Sequence, residues 1–168
     1  MALSAIGTWT RRIVASFGCI GYLPASGTVA SAATVALLWF VQREAPAWCG
    51  PHGALQFWLV VVGVIACSIY FSSRSKELFG KEDSGRIVID EVAGQLVTFL
   101  FVPITIRTLI AGFVLFRFFD IVKPFPVYRM EELDDGLGVT MDDVAAGVLA
   151  NLSLLGILFA YHAVKSYL

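Results

Sequence analysis

The chain has 168 residues and a net charge of −1, with 58% of its residues hydrophobic and 15% charged. A soluble domain averages about 45–50% apolar and about 25% charged residues, so this excess, with a mean hydropathy of +0.79, points to a helical membrane protein. The near-zero charge excludes a nucleic-acid partner held by a basic field, and three cysteines without zinc or redox spacing exclude a disulfide framework.

In chain order, "ALSAIGTWTRRIVASFGCIGYL" mixes apolar residues with Arg11 and Arg12 and predicts an interfacial helix within residues 1–26. The basic pair sits inside the apolar stretch, unlike a cleaved leader. A spanning helix takes about 20 mainly apolar residues. Residues 28–41 form a short first candidate and residues 55–72 a clear second. Residues 88–122 are too long for one span. Pro103 and Arg107 divide them into two short helices, 90–102 and 106–122, joined by a tight turn. Residues 144–163 form the fifth. The predicted architecture is therefore all-α: one domain over 1–168, with about five membrane helices bundled over 27–163. Cys19, Cys49 and Cys67 are expected as small apolar filler. Gly136 and Gly138 are expected to form a tight turn ahead of Asp142, and Gly94 and Gly147 to allow close helix contact.

Five spans put Arg11, Arg12, Arg74, Lys76, Lys81, Arg86, Arg117, Lys123 and Arg129 on one side and Arg43, Arg107 and Lys165 on the other. The positive-inside rule assigns the first side to the cytoplasm. The same threading brings five carboxylates to that side. Asp90 and Glu91 open the third helix, Asp120 closes the fourth, and Asp142 and Asp143 open the fifth. Glu91 and Gln95 share a helical face, and Arg117, Asp120 and Lys123 form a three-spaced stripe.

A first-turn acid is favoured by the helix dipole and often caps backbone donors. That accounts for Asp90 or Asp142 alone. It accounts poorly for doubled acids, and not for Asp120 at a helix C-terminus. Charge near a bilayer is costly and marks function. We read the five as a shared divalent-metal site. Carboxylates without cysteine or histidine suit a hard cation, Mg2+ before Zn2+.

Three blocks, "IVIDEVAGQ" (87–95), "FRFFDIVKPFP" (116–126) and "GLGVTMDDVAAG" (136–147), together resemble the phosphatidylglycerophosphatase A family of bacterial membrane lipid phosphatases. A weaker fourth block is "GYLPASGTVASAA" (21–33), where Ser26 and Ala30 replace the family's usual proline and glycine. Asp135 stands where a glycine is common, making the loop 131–135 unusually acidic. The resemblance implies Mg2+-dependent hydrolysis of phosphatidylglycerophosphate to phosphatidylglycerol and phosphate. It further implies a multi-pass protein of the bacterial inner membrane with its site facing the cytoplasm.

A phosphomonoester dianion needs charge neutralisation, a positioned water and stabilisation of the leaving alkoxide. Asp90, Glu91, Asp120, Asp142 and Asp143 are the candidates for metal binding or water activation. Arg117 and Lys123 are the candidates to hold phosphate oxygens, with interfacial snorkelling as the plainer role. Gly27 and Thr28 open the first helix either as an anion site of free N–H groups or as a plain cap. Cysteine-phosphatase spacing is absent, since Cys67 and Arg74 have six residues between them and Cys67 lies in an apolar helix. His52 and His162 both fall on the far side, away from a histidine-based site. Three alternatives remain: a transferase on CDP-linked lipids, a hydrolase of another lipid phosphate, and an acid-lined cation carrier.

Overall fold

Where no water can satisfy a backbone, a chain this apolar must pair its N–H and C=O groups locally, and helices do so. The computed structural model describes residues 5–49, 53–73, 78–80 and 85–167, and among these all regular structure is helical. Arg74, Lys76, Lys81 and His52 lie outside the described residues. The helices are α1 (Ala5–Ala15), α2 (Ser26–Glu44), α3 (Ala54–Ser72), α4 (Ile89–Thr98), α5 (Ile106–Val122), α6 (Val127–Met130) and α7 (Asp135–Tyr167).

Two segments, Ala54–Ser72 and Gly136–Ser166, are long and apolar enough to cross a membrane. Only 11% and 22% of their most apolar windows are buried inside the protein. A soluble core helix would be mostly buried, so these apolar faces point outward. Cys67, expected as filler, is likewise exposed on α3, and Cys19 is exposed too. The helical register turns Cys67 away from the neighbouring helices.

The third predicted span is not a span-length helix. α4 has ten residues, about 15 Å at 1.5 Å per residue, half the hydrocarbon thickness of about 30 Å. Every residue from Val92 to Phe99 is buried. α4 is the centre of the bundle, packed mainly on α7 and also on α2 and α3. Its early end has a tertiary cause. Asn151 Nδ2 of α7 donates to the carbonyls of Thr98 at 2.9 Å and Leu100 at 2.7 Å. Phe101 then turns through the left-handed region at φ 59°. Pro103 is thus five residues past the helix, and Thr105 opens α5 with a reciprocal cap to Thr108.

The last helix also starts earlier than predicted. α7 begins at Asp135, so Gly136 and Gly138 lie in its first turns rather than in a connecting turn. Gly136 packs instead on the end of α3, against backbone atoms of Ile69, Ser72 and Ser73. Asp142 and Asp143 are consequently about two turns inside a helix. The 24 residues beyond Asp143 extend about 36 Å, enough to cross a bilayer while carrying the acids at one end.

The register follows from named contacts. α4 runs parallel to α7: Gly94 packs on the Asp143 carbonyl, Gly147 on the Gly94 carbonyl, and Thr98 meets Asn151. A Cβ at Gly94 or Gly147 would collide with the other helix's backbone, so the glycine pair sets how closely the two axes approach. α5 runs antiparallel to α4, with Phe116 beside Gly94 and Gly112 beside Phe99. α3 runs antiparallel to α7, with Ser68 and Thr140 hydrogen-bonded at 2.8 Å. The starts of α4 and α7 and the ends of α3 and α5 therefore meet at one end of the bundle. α1 is tied there too: Arg11 donates to the Ser73 carbonyl and Arg12 to that of Leu78.

Candidate active site

At that end, α4 places Asp90 and Glu91 in its first turn, where the dipole favours anions. No side chain caps α4, although the Glu91 N–H finds an acceptor in Asp90 Oδ1 at 2.9 Å. α7 brings Asp143 alongside. One carboxylate oxygen from each of Asp90, Glu91 and Asp143 lies within 4.8 Å of the other two. Asp90 and Asp143 are only 7% and 5% exposed. Three carboxylates this close and this buried repel strongly unless a cation or protons intervene. Glu91 Oε2 and Asp143 Oδ1 are buried without a hydrogen-bond partner, and buried polar atoms are otherwise almost always satisfied. An all-oxygen donor set with two orphaned oxygens fits a hard divalent cation such as Mg2+.

Asp120 and Asp142 stand outside this trio, and each holds a cation. Asp120 forms an ion pair with Arg117 Nη1 one turn away on α5, and it lies within electrostatic reach of Glu91 and Asp143. Asp142 binds Lys123 Nζ through Oδ2 at 2.9 Å and accepts the Asp143 N–H on Oδ1 at 2.9 Å. Seven residues into α7, Asp142 cannot be a helix cap.

Lys123 ends α5 in the left-handed region at φ 46°, a strained conformation for a residue with a Cβ. Ion pairs to Asp142 at 2.9 Å and Glu131 at 3.2 Å hold it there. Burial opposes the charge on Lys123, but Asp142 and Glu131 outweigh it and raise its pKa above the ordinary lysine value. It is an ammonium at every physiological pH. Arg117 touches Asp120 without hydrogen-bond alignment, and its Nε and Nη1 are buried without such a partner. It therefore keeps donors to offer a ligand.

Gly27 and Thr28 part company. Gly27 is buried against the trio's edge. A Cβ there would overlap Glu91 Oε1 and stand 3.2 Å from Arg117 Nη1. The N-cap of α2 is Ala25, with no side-chain cap bond, and Thr28 is exposed. Thr28 is therefore not the cap. His162 is exposed near the far end of α7, 19 residues and about 28 Å from Asp143.

Two polar residues enter the picture that the sequence reading did not assign to the site. Glu131, in the acidic loop, shares Lys123 with Asp142. Gln95, one turn after Glu91, is completely buried, and neither amide atom has a partner. The acidic run and the four-residue spacing were the available signals.

The sequence profile of the phosphatidylglycerophosphatase A family matches residues 13–158. A Bacteroides thetaiotaomicron protein, named with provisional status as a phosphatidylinositol-3-phosphatase, is 45% identical over 93 residues, covering 54% of this chain and 57% of its own. Haemophilus influenzae phosphatidylglycerophosphatase A is 38% identical over 90 residues, covering 52% and 55%. Escherichia coli phosphatidylglycerophosphatase A is 31% identical over 119 residues, covering 62% and 69%. The match thus spans little more than half the length of the first two relatives. No solved structure matches the chain.

Proposed function

The chain belongs to the phosphatidylglycerophosphatase A family, and on that premise we propose that it hydrolyses phosphatidylglycerophosphate to phosphatidylglycerol and phosphate, with Mg2+ as cofactor. The observation that carries this reading is the convergence of Asp90, Glu91 and Asp143 within 4.8 Å at one end of the bundle, with Arg117 and Lys123 held beside them by their own acids.

Bound by Asp90, Glu91 and Asp143, Mg2+ supplies neutralisation of the phosphate dianion and an acidified water. The remaining work falls to the chain. Arg117, with Nε unbonded, meets phosphate oxygens by its planar fork. Lys123 adds a fixed point charge at the end of α5. Asp120 and Asp142 position these two cations. Gly27 leaves the space into which the Glu91 carboxylate fits.

A phosphate carried by a lipid hangs at headgroup depth, and so must the site. The proposal puts α3 and α7 across a bacterial inner membrane, with α2, α4 and α5 completing the bundle and α1 at the interface. The site then faces the cytoplasm. The support is the outward apolar surface of both long helices and the placement of Arg11, Arg12, Arg117 and Lys123 at the end where the acids gather.

The Bacteroides relative favours a second reading, a phosphoinositide 3-phosphate as substrate. Both readings are tested by phosphate release from vesicles carrying phosphatidylglycerophosphate, phosphatidate or phosphatidylinositol 3-phosphate, with and without Mg2+. Fastest Mg2+-dependent release from phosphatidylglycerophosphate is expected. Preference for the phosphoinositide would favour the second reading. Absence of release from every lipid, together with cation flux into proteoliposomes, would replace the enzyme by a carrier.

A further inference from the structure

We propose that Gln95 is a positioning residue of the cation site, its amide holding one water of a hydrated divalent ion bound by Asp90, Glu91 and Asp143. The proposal rests on the reading above. Gln95 is 0% exposed, yet both Oε1 and Nε2 lack a hydrogen-bond partner. A buried primary amide with neither end satisfied is rare, and it signals a partner such as water, an ion or a ligand. Its place in α4 indicates which. Gln95 lies four residues after Glu91, hence on the same helical face and one turn deeper in the bundle. Glu91 Oε2 and Asp143 Oδ1 are orphaned at the same site.

Protein partners for the amide are scarce. The buried hydroxyls of Ser31 and Thr34 on the adjoining α2 donate to their own helix, at the carbonyls of Gly27 and Ala30. Thr98, the next polar residue of α4, donates to the Gly94 carbonyl. Three carboxylates already offer the ion its charged ligands, and a neutral amide is a weaker ligand for a hard cation than a carboxylate. Mg2+ gives up its hydration reluctantly and keeps several waters. A water held by the ion would donate to Oε1, leaving Nε2 to donate to a further water or a carboxylate oxygen. Such a residue sets how the ion is seated without touching the phosphate. Groups of this kind typically contribute 10- to 100-fold in metal affinity.

The test uses the full chain in detergent micelles and reads Mn2+ binding by electron paramagnetic resonance, alongside thermal unfolding in EDTA. Gln95→Leu removes both polar atoms, and Gln95→Met does so while keeping the unbranched length. The expected result is Mn2+ affinity reduced about 10- to 100-fold in both variants, with unfolding temperatures in EDTA no lower than that of the wild type. Phosphate release should require correspondingly more Mg2+. Wild-type Mn2+ affinity in either folded variant overturns the proposal, as does loss of fold in both, which would make the amide structural. If the wild type itself binds no Mn2+, the cation site falls, and this inference with it.

Discussion

Replacing Gly27 by alanine probes the site through a single methyl group. In the structure the new Cβ would overlap Glu91 Oε1 and reach to 3.2 Å from Arg117 Nη1. Both helix backbones are pinned, α2 by its packing on α4 and α4 by the glycine contact with α7. The carboxylate must therefore move rather than the helices. Overpacking of this kind costs about 1–3 kcal/mol, and alanine returns up to about 1 kcal/mol of helix propensity. The net loss of stability should be about 0–3 kcal/mol. Displacing a reacting group by about 1 Å can cost about 100-fold in rate, about 2.7 kcal/mol in the barrier. We expect kcat/KM for phosphate release to fall about 100-fold while the protein stays folded. Gly63→Ala and Gly156→Ala are the controls. A Cβ at either meets open space, so both should retain wild-type activity. A stable Gly27→Ala protein with wild-type kcat/KM would show that the seating of Glu91 against α2 is irrelevant to turnover.

Glu91→Gln and Asp143→Asn should each remove most activity and raise the Mg2+ concentration needed for the remainder, because amides keep the shape but lose the charge. An unchanged Mg2+ titration of phosphate release would dismiss the trio as a cation site. Asp142→Asn keeps an acceptor for the Asp143 N–H but loses the ion pair to Lys123. It should cost about 1.5–3 kcal/mol in kcat/KM, as should Lys123→Ala, and the double variant should be little worse than either. Additive losses would show that Asp142 does not act through Lys123. Asn151→Leu leaves the part-buried carbonyls of Thr98 and Leu100 without their side-chain donor. At about 1–3 kcal/mol for each unsatisfied group, it should lower the unfolding temperature clearly, and an unchanged temperature would refute its role as the stop for α4.

Much of the site was legible in the chain itself. Hydropathy and cation placement alone bring Asp90, Glu91, Asp120, Asp142 and Asp143 to one end of a helical bundle, because both signals act locally along the sequence. The two long apolar stretches, an early helix within residues 1–26 and a break near Pro103 were visible for the same reason, though not the stop of α4 at Thr98. Tertiary contacts decided the rest. α4 stops at Thr98 because Asn151, 53 residues away, takes up its last carbonyl and that of Leu100 just beyond it, and no local propensity encodes that. Asp142 and Asp143 lie within a helix rather than at its door, because Gly136 can press against α3 and let α7 begin at Asp135. The division of the five acids, three within 4.8 Å of one another and two paired with Arg117 and Lys123, depends on distances of a few ångströms between α4, α5 and α7. A sequence pattern sorts charges by depth and helix face, but only packing decides which of two neighbouring carboxylates meets a lysine and which meets another carboxylate.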